Sequence, residues 1–128
     1  MDQDPLSIDL LIAALRQDRH DAAQYLDILA GRLQTALPEL VAVERGGGWL
    51  RRGGPVERLS IRLEEWLYVI ARGPTGLQAT RERWVRGVRI RAEVLAAERW
   101  LEELAHRLRE VAVREAAVRE GLERLLLG

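Results

Sequence analysis

VERLSIRLEEWLYVIARGPTGLQATRERWVRGVRIRA, residues 56–92, is the stretch whose reading decides the fold. Near its start Leu59, Ile61 and Leu63 alternate with Arg58, Ser60 and Arg62. Near its end Val88, Ile90 and Ala92 alternate with Arg89 and Arg91. Period-two alternation places each set on its own side of a pleated strand, so the block reads as consecutive antiparallel strands with one dry face and one cationic face. Glu64-Glu65 makes a tight turn, Arg72–Gly76 a second turn, and Gly87 breaks or bulges the run between a strand from Leu77 to Glu82 and one from Val88 to Ala92.

The middle strand breaks the pattern. Trp66, Tyr68 and Ile70 can face the core, yet Leu67, Val69 and Ala71 on the opposite side are apolar as well. A strand apolar on both faces is one covered on both. Its second face is an apolar island among Arg58, Arg62, Arg89 and Arg91, and something must cover it: the chain's own N-terminal helix or long loop, or a partner.

Working outward, both flanks are helical. Downstream, Trp100, Leu101, Leu104, Leu108, Val111 and Ala112 form a stripe that closes the core within a helix over 96–127. Leu101, Leu104, Leu108, Val111, Glu115, Val118, Leu122 and Leu125 keep heptad spacing, interrupted only at Glu115. A continuous helix of that length spans about 48 Å, against about 20 Å for a six-residue strand. It therefore overhangs the sheet, and Val118, Leu122, Leu125 and Leu126 are expected to meet a second copy of the chain. Upstream, Ile8, Leu11, Ile12, Leu15, Leu26, Leu29, Leu33 and Leu37 give a helix, or a helix pair, over 6–37 that Pro38 ends. Leu40–Val43 is a short strand. The loop over 45–55 holds five glycines and displays Trp49 and Leu50 beside Arg51 and Arg52, the composition of a binding hot spot. The expected architecture is a single α+β domain over 1–128, with an N-terminal helix or helix pair, an antiparallel meander of four to five strands and a long C-terminal helix. This order resembles small secretion-chaperone-like domains in layout, without a shared motif.

Composition excludes more than it selects. The chain of 128 residues is 48% hydrophobic and 31% charged, which suits one globular domain. It contains no cysteine, so disulfides, thiolate catalysis and cysteine-held zinc are excluded. No apolar run approaches the ~18 residues of a membrane span, and the acidic start lacks the basic region of a signal peptide, so a cytoplasmic location is expected. All 20 basic residues are arginine. Net charge is zero but uneven. Residues 1–44 carry three Arg against eight acids, residues 45–91 eleven against four, and residues 92–128 six against eight.

No arrangement of residues argues for catalysis or a cofactor. His20 and His106 lack metal-ligand spacing, and Asp18, His20 and Asp21 are crowded onto one helical turn. Glu64-Glu65 and Glu102-Glu103 fall on a turn and on a solvated helix face, where nothing isolates an acid from its base. The P-loop motif requires a lysine that the chain lacks. Two expectations of function remain. The first is a non-catalytic interaction module, adaptor or chaperone-like, acting as a homo-oligomer and holding a protein partner through Trp49, Leu50, Leu67, Val69 and Ala71. The second is a nucleic-acid binder that meets phosphates with Arg58, Arg62, Arg89 and Arg91.

Overall fold

The computed structural model describes residues 22–46, 54–74 and 76–127. Helix α1 (Ala22–Ala36) leads into five strands, β1 (Val41–Arg45), β2 (Val56–Leu63), β3 (Trp66–Gly73), β4 (Gly76–Val85) and β5 (Val88–Leu95). Helices α2 (Ala97–Arg114) and α3 (Ala116–Leu127) follow. The strands form one antiparallel meander in sequence order, so the α+β reading holds. The expected helix over residues 6–21 and the loop residues Trp49 and Leu50 lie outside the described residues.

Local chemistry explains the boundaries. α1 stops at Ala36, two residues before Pro38, with Leu37 N–H donating to the Leu33 carbonyl at 2.8 Å. The two-residue link between β2 and β3 puts Glu64 at φ 58°, in the left-handed region. Its carboxylate is held by Arg114 of α2 at 2.7–2.8 Å, so an ion pair to a helix steadies a turn whose backbone favours glycine. Between β4 and β5 both Arg86 (φ 53°) and Gly87 (φ 81°) have positive φ, the requirement of a type I′ hairpin turn. Gly87 is thus part of a tight turn, and β4 runs on to Val85 instead of stopping at Glu82.

α1 and α2 pack on one face of the sheet, and α3 packs against those two helices. Leu59, Ile61 and Leu63 from β2, Tyr68 and Ile70 from β3, and Ala79 from β4 are buried against Leu26, Leu29 and Leu33 of α1 and against the α2 stripe. That stripe is the one the sequence marks, Trp100, Leu101, Leu104, Leu108, Val111 and Ala112. Trp100 is the largest fully buried side chain, at 0% exposure. Its indole N–H donates to the Thr80 carbonyl at 2.9 Å, and its ring meets Tyr68 edge-on with centroids 6.2 Å apart.

Two expectations change. The heptad interruption at Glu115 is a helix break: Glu115 has φ −128° and ψ 114°, ending α2, and α3 starts afresh at Ala116. α3 turns back onto the C-terminal end of α1, where Arg124 donates to the Ala36 carbonyl at 2.8 Å. Val118 and Leu125 belong to the chain's own core and Leu122 packs against it, so the overhang that would have offered them to a second copy is absent. The side chain of Leu126 lies outside the described residues. The second change is in β5. Ile90 was expected in the core opposite Trp100, but it is 57% exposed. The β4–β5 register shifts between Arg83 and Trp84: Arg83 faces Arg91 and Trp84 faces Arg89, leaving Ile90 as an extra residue. From that bulge onward the faces of β5 are exchanged relative to simple alternation from Val88.

Two substitutions test this packing. Trp100→Ala should lower stability by about 3–5 kcal/mol, the range for deleting a core aromatic, measured by denaturant melts. A loss below about 1 kcal/mol would contradict the packing of α2 on β3 and β4. At Gly121 of α3 an added Cβ would stand 2.6 Å from the Ala36 carbonyl oxygen and collide with the Leu37 side chain. Gly121→Ala should therefore cost about 1–3 kcal/mol through overpacking, overriding the roughly 1 kcal/mol that alanine gains over glycine within a helix. A raised melting temperature would contradict the close approach of α1 and α3.

Candidate interaction surface

The two faces of the sheet have different chemistry, and register assigns each residue to one of them. On the helix-covered side, Trp66, Tyr68, Ile70 and Arg72 of β3 stand opposite Arg83, Arg81, Ala79 and Leu77 of β4, and Arg81 and Ala79 in turn face Glu93 and Leu95 of β5. The open side carries Arg58, Ser60 and Arg62 of β2, Leu67, Val69 and Ala71 of β3, and Gln78, Thr80, Glu82 and Trp84 of β4. On β5 it carries Ala92 and Val94. Ile90 shares the parity of Ala92 and Val94, and Arg89 sides with it across the bulge, 3.6 Å from Glu82.

Charge on the covered side is internally compensated. Arg81 binds both Glu93 of β5 and Glu103 of α2. Its guanidinium also lies 5.2 Å from the centroid of Trp66, which Arg83 and Arg107 approach at 5.5 and 4.6 Å. Arg107 donates to the Tyr68 hydroxyl at 3.2 Å, and Arg83 binds Glu65 at 3.0 Å. The hydrogen bond from Arg81 holds the Glu93 carboxyl below the usual carboxylate range, as Arg114 does for Glu64. Both ion pairs therefore contribute above that range and are lost as pH falls through the depressed values. These arginines are spent on the protein's own acids and on one tryptophan.

The open side is less settled by its own contacts. Arg58 has Glu44 at 3.8 Å, and Arg89 has Glu82, which also accepts from the Trp84 indole at 2.9 Å. Arg62 meets no carboxylate among the described residues. Arg91, expected on this cationic face, stands on the other side, opposite Arg83. Of the predicted nucleic-acid set, Arg58, Arg62 and Arg89 remain together.

The expected island of Leu67, Val69 and Ala71 occupies the centre of the open side. Val69 lies between Ser60 and Thr80 and is 3% exposed, while Leu67 and Ala71 are half-buried. Neither α1, α2 nor α3 sends its buried stripe there, and Val69 is not among the residues of the core beneath the helices. Beyond Gln78, Thr80 and Glu82 of β4, a second apolar row on β5 is exposed, with Ile90 at 57% and Val94 at 71%. Simple alternation concealed this row, because it assigned Ile90 and Ala92 to the core.

Other residues matter without having been marked by the sequence. The Asp27 carboxylate on α1 accepts from Val56 N–H at 2.8 Å, and Arg72 donates to the Val56 carbonyl at 3.1 Å. Together with Gly46 N–H donating to Pro55 and Arg45 donating to Gly54, they tie down both ends of the glycine-rich loop. A lone aspartate on the polar side of a helix carries no sequence signal for such a role. Arg107 could have been anticipated, since it sits beside Leu104 and Leu108 at the border of the buried stripe.

Nothing in this arrangement isolates an acid, a base or a nucleophile. Glu64 and Glu65 are engaged by Arg114 and Arg83, Glu103 by Arg81 and Arg99, and His106 is exposed. Among the described residues no three His, Cys, Asp or Glu side chains could hold a metal ion together. None of the described helices is long and apolar enough to cross a membrane. Comparison with protein-family models, curated proteins and solved structures gives no match.

Proposed function

We propose that the protein is a non-catalytic interaction module of the cytoplasm, adaptor or chaperone-like, that holds a protein segment on the open face of its sheet. The observation behind this reading is a pair of apolar patches on one side of the sheet, Leu67, buried Val69 and Ala71 on β3 and Ala92, Val94 and the bulged Ile90 on β5, with Gln78, Thr80 and Glu82 of β4 between them. The patch on β5 is exposed apolar surface bordered by polar groups, the mark of an interaction site. Arg58 and Arg62 border the β3 patch and Arg89 the β5 patch, so the segment that fits is apolar at its centre and acidic at its flanks.

The alternative, phosphate binding by the same arginines, is weaker. Glu44 and Glu82 already face Arg58 and Arg89, and Arg91 does not belong to the set. Backbone binding to nucleic acid also has no use for a strand apolar on both sides.

The test is a random peptide library selected on the full chain. Selected peptides should carry Val, Ile or Leu at the centre with Asp or Glu on either side. Leu67→Ser or Val94→Ser should reduce their affinity by about tenfold or more, while Arg89→Glu should chiefly slow association. Failure to select peptides, or binding indifferent to Leu67→Ser and Val94→Ser, would overturn the reading. Micromolar affinity for duplex or single-stranded DNA at physiological salt, lost in Arg89→Glu and intact in Val69→Ser, would replace it with the phosphate reading. The salt dependence would then follow with a slope of about −0.9 per phosphate contact.

A further inference from the structure

β5 is an edge strand with unusual features. It is eight residues long, has β4 on one side and no described strand on the other. An edge of this kind presents a row of free backbone donors and acceptors, and proteins commonly shorten or cover it. Here it combines that row with Ile90 and Val94 exposed on the open side. On the other side Arg91 forms no salt bridge among the described residues, and its charge acts on Glu93 of the same strand.

We propose that two copies of the chain join across a two-fold axis by pairing β5 with β5 in antiparallel register, with Ala92 opposite Ala92. The occupant of the edge is a second copy because the strand is complementary to itself in one register alone. Opposed residues in an antiparallel pair must both point their backbone groups across the join or both point them away, so their numbers sum to an even value. Pairings that use five or more residues within Val88–Leu95 are therefore centred on Ile90, Arg91, Ala92 or Glu93. Centring on Ile90 or Arg91 carries the pairing across the bulge, where the two sides of β5 change over; centring on Arg91 also sets arginine against arginine, and centring on Glu93 sets carboxylate against carboxylate. Like charges directly opposite destabilise a pair.

Centring on Ala92 avoids each of these clashes. It sets Arg91 against Glu93 at two symmetric positions on the helix side, and Ile90 against Val94 at two symmetric positions on the open side. Glu93 already accepts from Arg81, and a carboxylate has acceptor capacity for a second guanidinium. Two five-stranded sheets thus become one of ten strands, the exposed row of each copy meets its equivalent, and the isologous contact closes without leaving a β5 edge. This inference rests on the reading of β5 as an interaction surface but concerns its edge, whereas the peptide segment lies across the open face.

The absence of cysteine makes the register testable. Ala92→Cys places two thiols on Cα atoms about 4.5–5.5 Å apart in an antiparallel pair, within the ~4.4–6.8 Å that a disulfide spans. Mild oxidation of the full chain at micromolar concentration should convert most of it to a covalent dimer. Gln78→Cys, exposed at the far end of β4, should not cross-link. Light scattering of the wild type should give twice 14.5 kDa. Arg91→Glu breaks no salt bridge among the described residues and should raise the dimer dissociation constant about tenfold or more. Adding Glu93→Arg should restore the dimer, with circular dichroism melts verifying the fold of each variant. A monomeric mass at about 100 μM, cross-linking no better at residue 92 than at residue 78, or a dimer indifferent to Arg91→Glu would each overturn the proposal. Peptide binding measured on the Arg91→Glu variant separates the two readings. If it persists while the dimer is lost, the open face acts without the edge. A dimer that cross-links at residue 92 yet selects no peptide would stand without the interaction reading.

Discussion

The burial of Trp100 is the constraint on which the rest of the structure depends. An indole can be fully enclosed only if its N–H finds an acceptor, and the Thr80 carbonyl of β4 supplies one. The hydrogen bond and the edge-on contact with Tyr68 fix α2 in position over β3 and β4. With α2 placed, Arg107 reaches the Tyr68 hydroxyl and the face of Trp66, Glu103 reaches Arg81, and Arg114 reaches the Glu64 turn. One apolar side chain with one polar atom thus sets the register in which several charged side chains find their partners. Exposed ion pairs of this sort add little stability individually, so they follow from the placement of α2 more than they cause it.

Placing α2 also decides what the sheet leaves free. The helices cover the side bearing Leu59, Ile61, Tyr68 and Ile70. Arg81, Arg83 and Arg107, gathered around Trp66 at the border of that side, are paired with the protein's own acids. Surface chemistry not spent internally therefore gathers on the other side and along β5. The proposed function and the proposed dimer both draw on this asymmetry, one on the face and the other on the edge.

Much of this was legible from residues alone. The buried stripe of α2 was readable because helical periodicity extends unbroken from Trp100 to Ala112, β2 because its alternation contains no interruption, and β3 because an apolar run of strand length lies between two turns. The two departures share one physical origin, an irregularity of a single residue. At Ile90 one inserted residue reverses the faces of β5, and alternation counted along a strand has no memory of which residues face a partner. At Glu115 one break redirects α3 onto α1, although heptad spacing continues through it. The heptad positions after the break do remain buried, at Val118 and Leu125, but against a helix of the same chain. Periodicity specified which side chains are hidden and was silent about what hides them. For the open face the difficulty was greater, since Val69 and Val94, with Thr80 between them, come to one side only once β3, β4 and β5 lie side by side.

The meander has a consequence for how the chain reaches this structure. Every strand pairs with its neighbour in sequence, so the sheet can grow by successive hairpins, the last three each closing a short turn. Contacts that close the molecule are of another kind: Asp27 to Val56 spans 29 residues and Arg124 to Ala36 spans 88. Closing such long loops carries the larger entropic cost. We therefore expect the hairpins β2–β3 and β4–β5 to organise first and the clasp of α1 with α3 to form last. Mutations at Gly121 or Asp27 would then speed unfolding while leaving the folding rate nearly unchanged, and φ-values near one at those two positions would reverse that order.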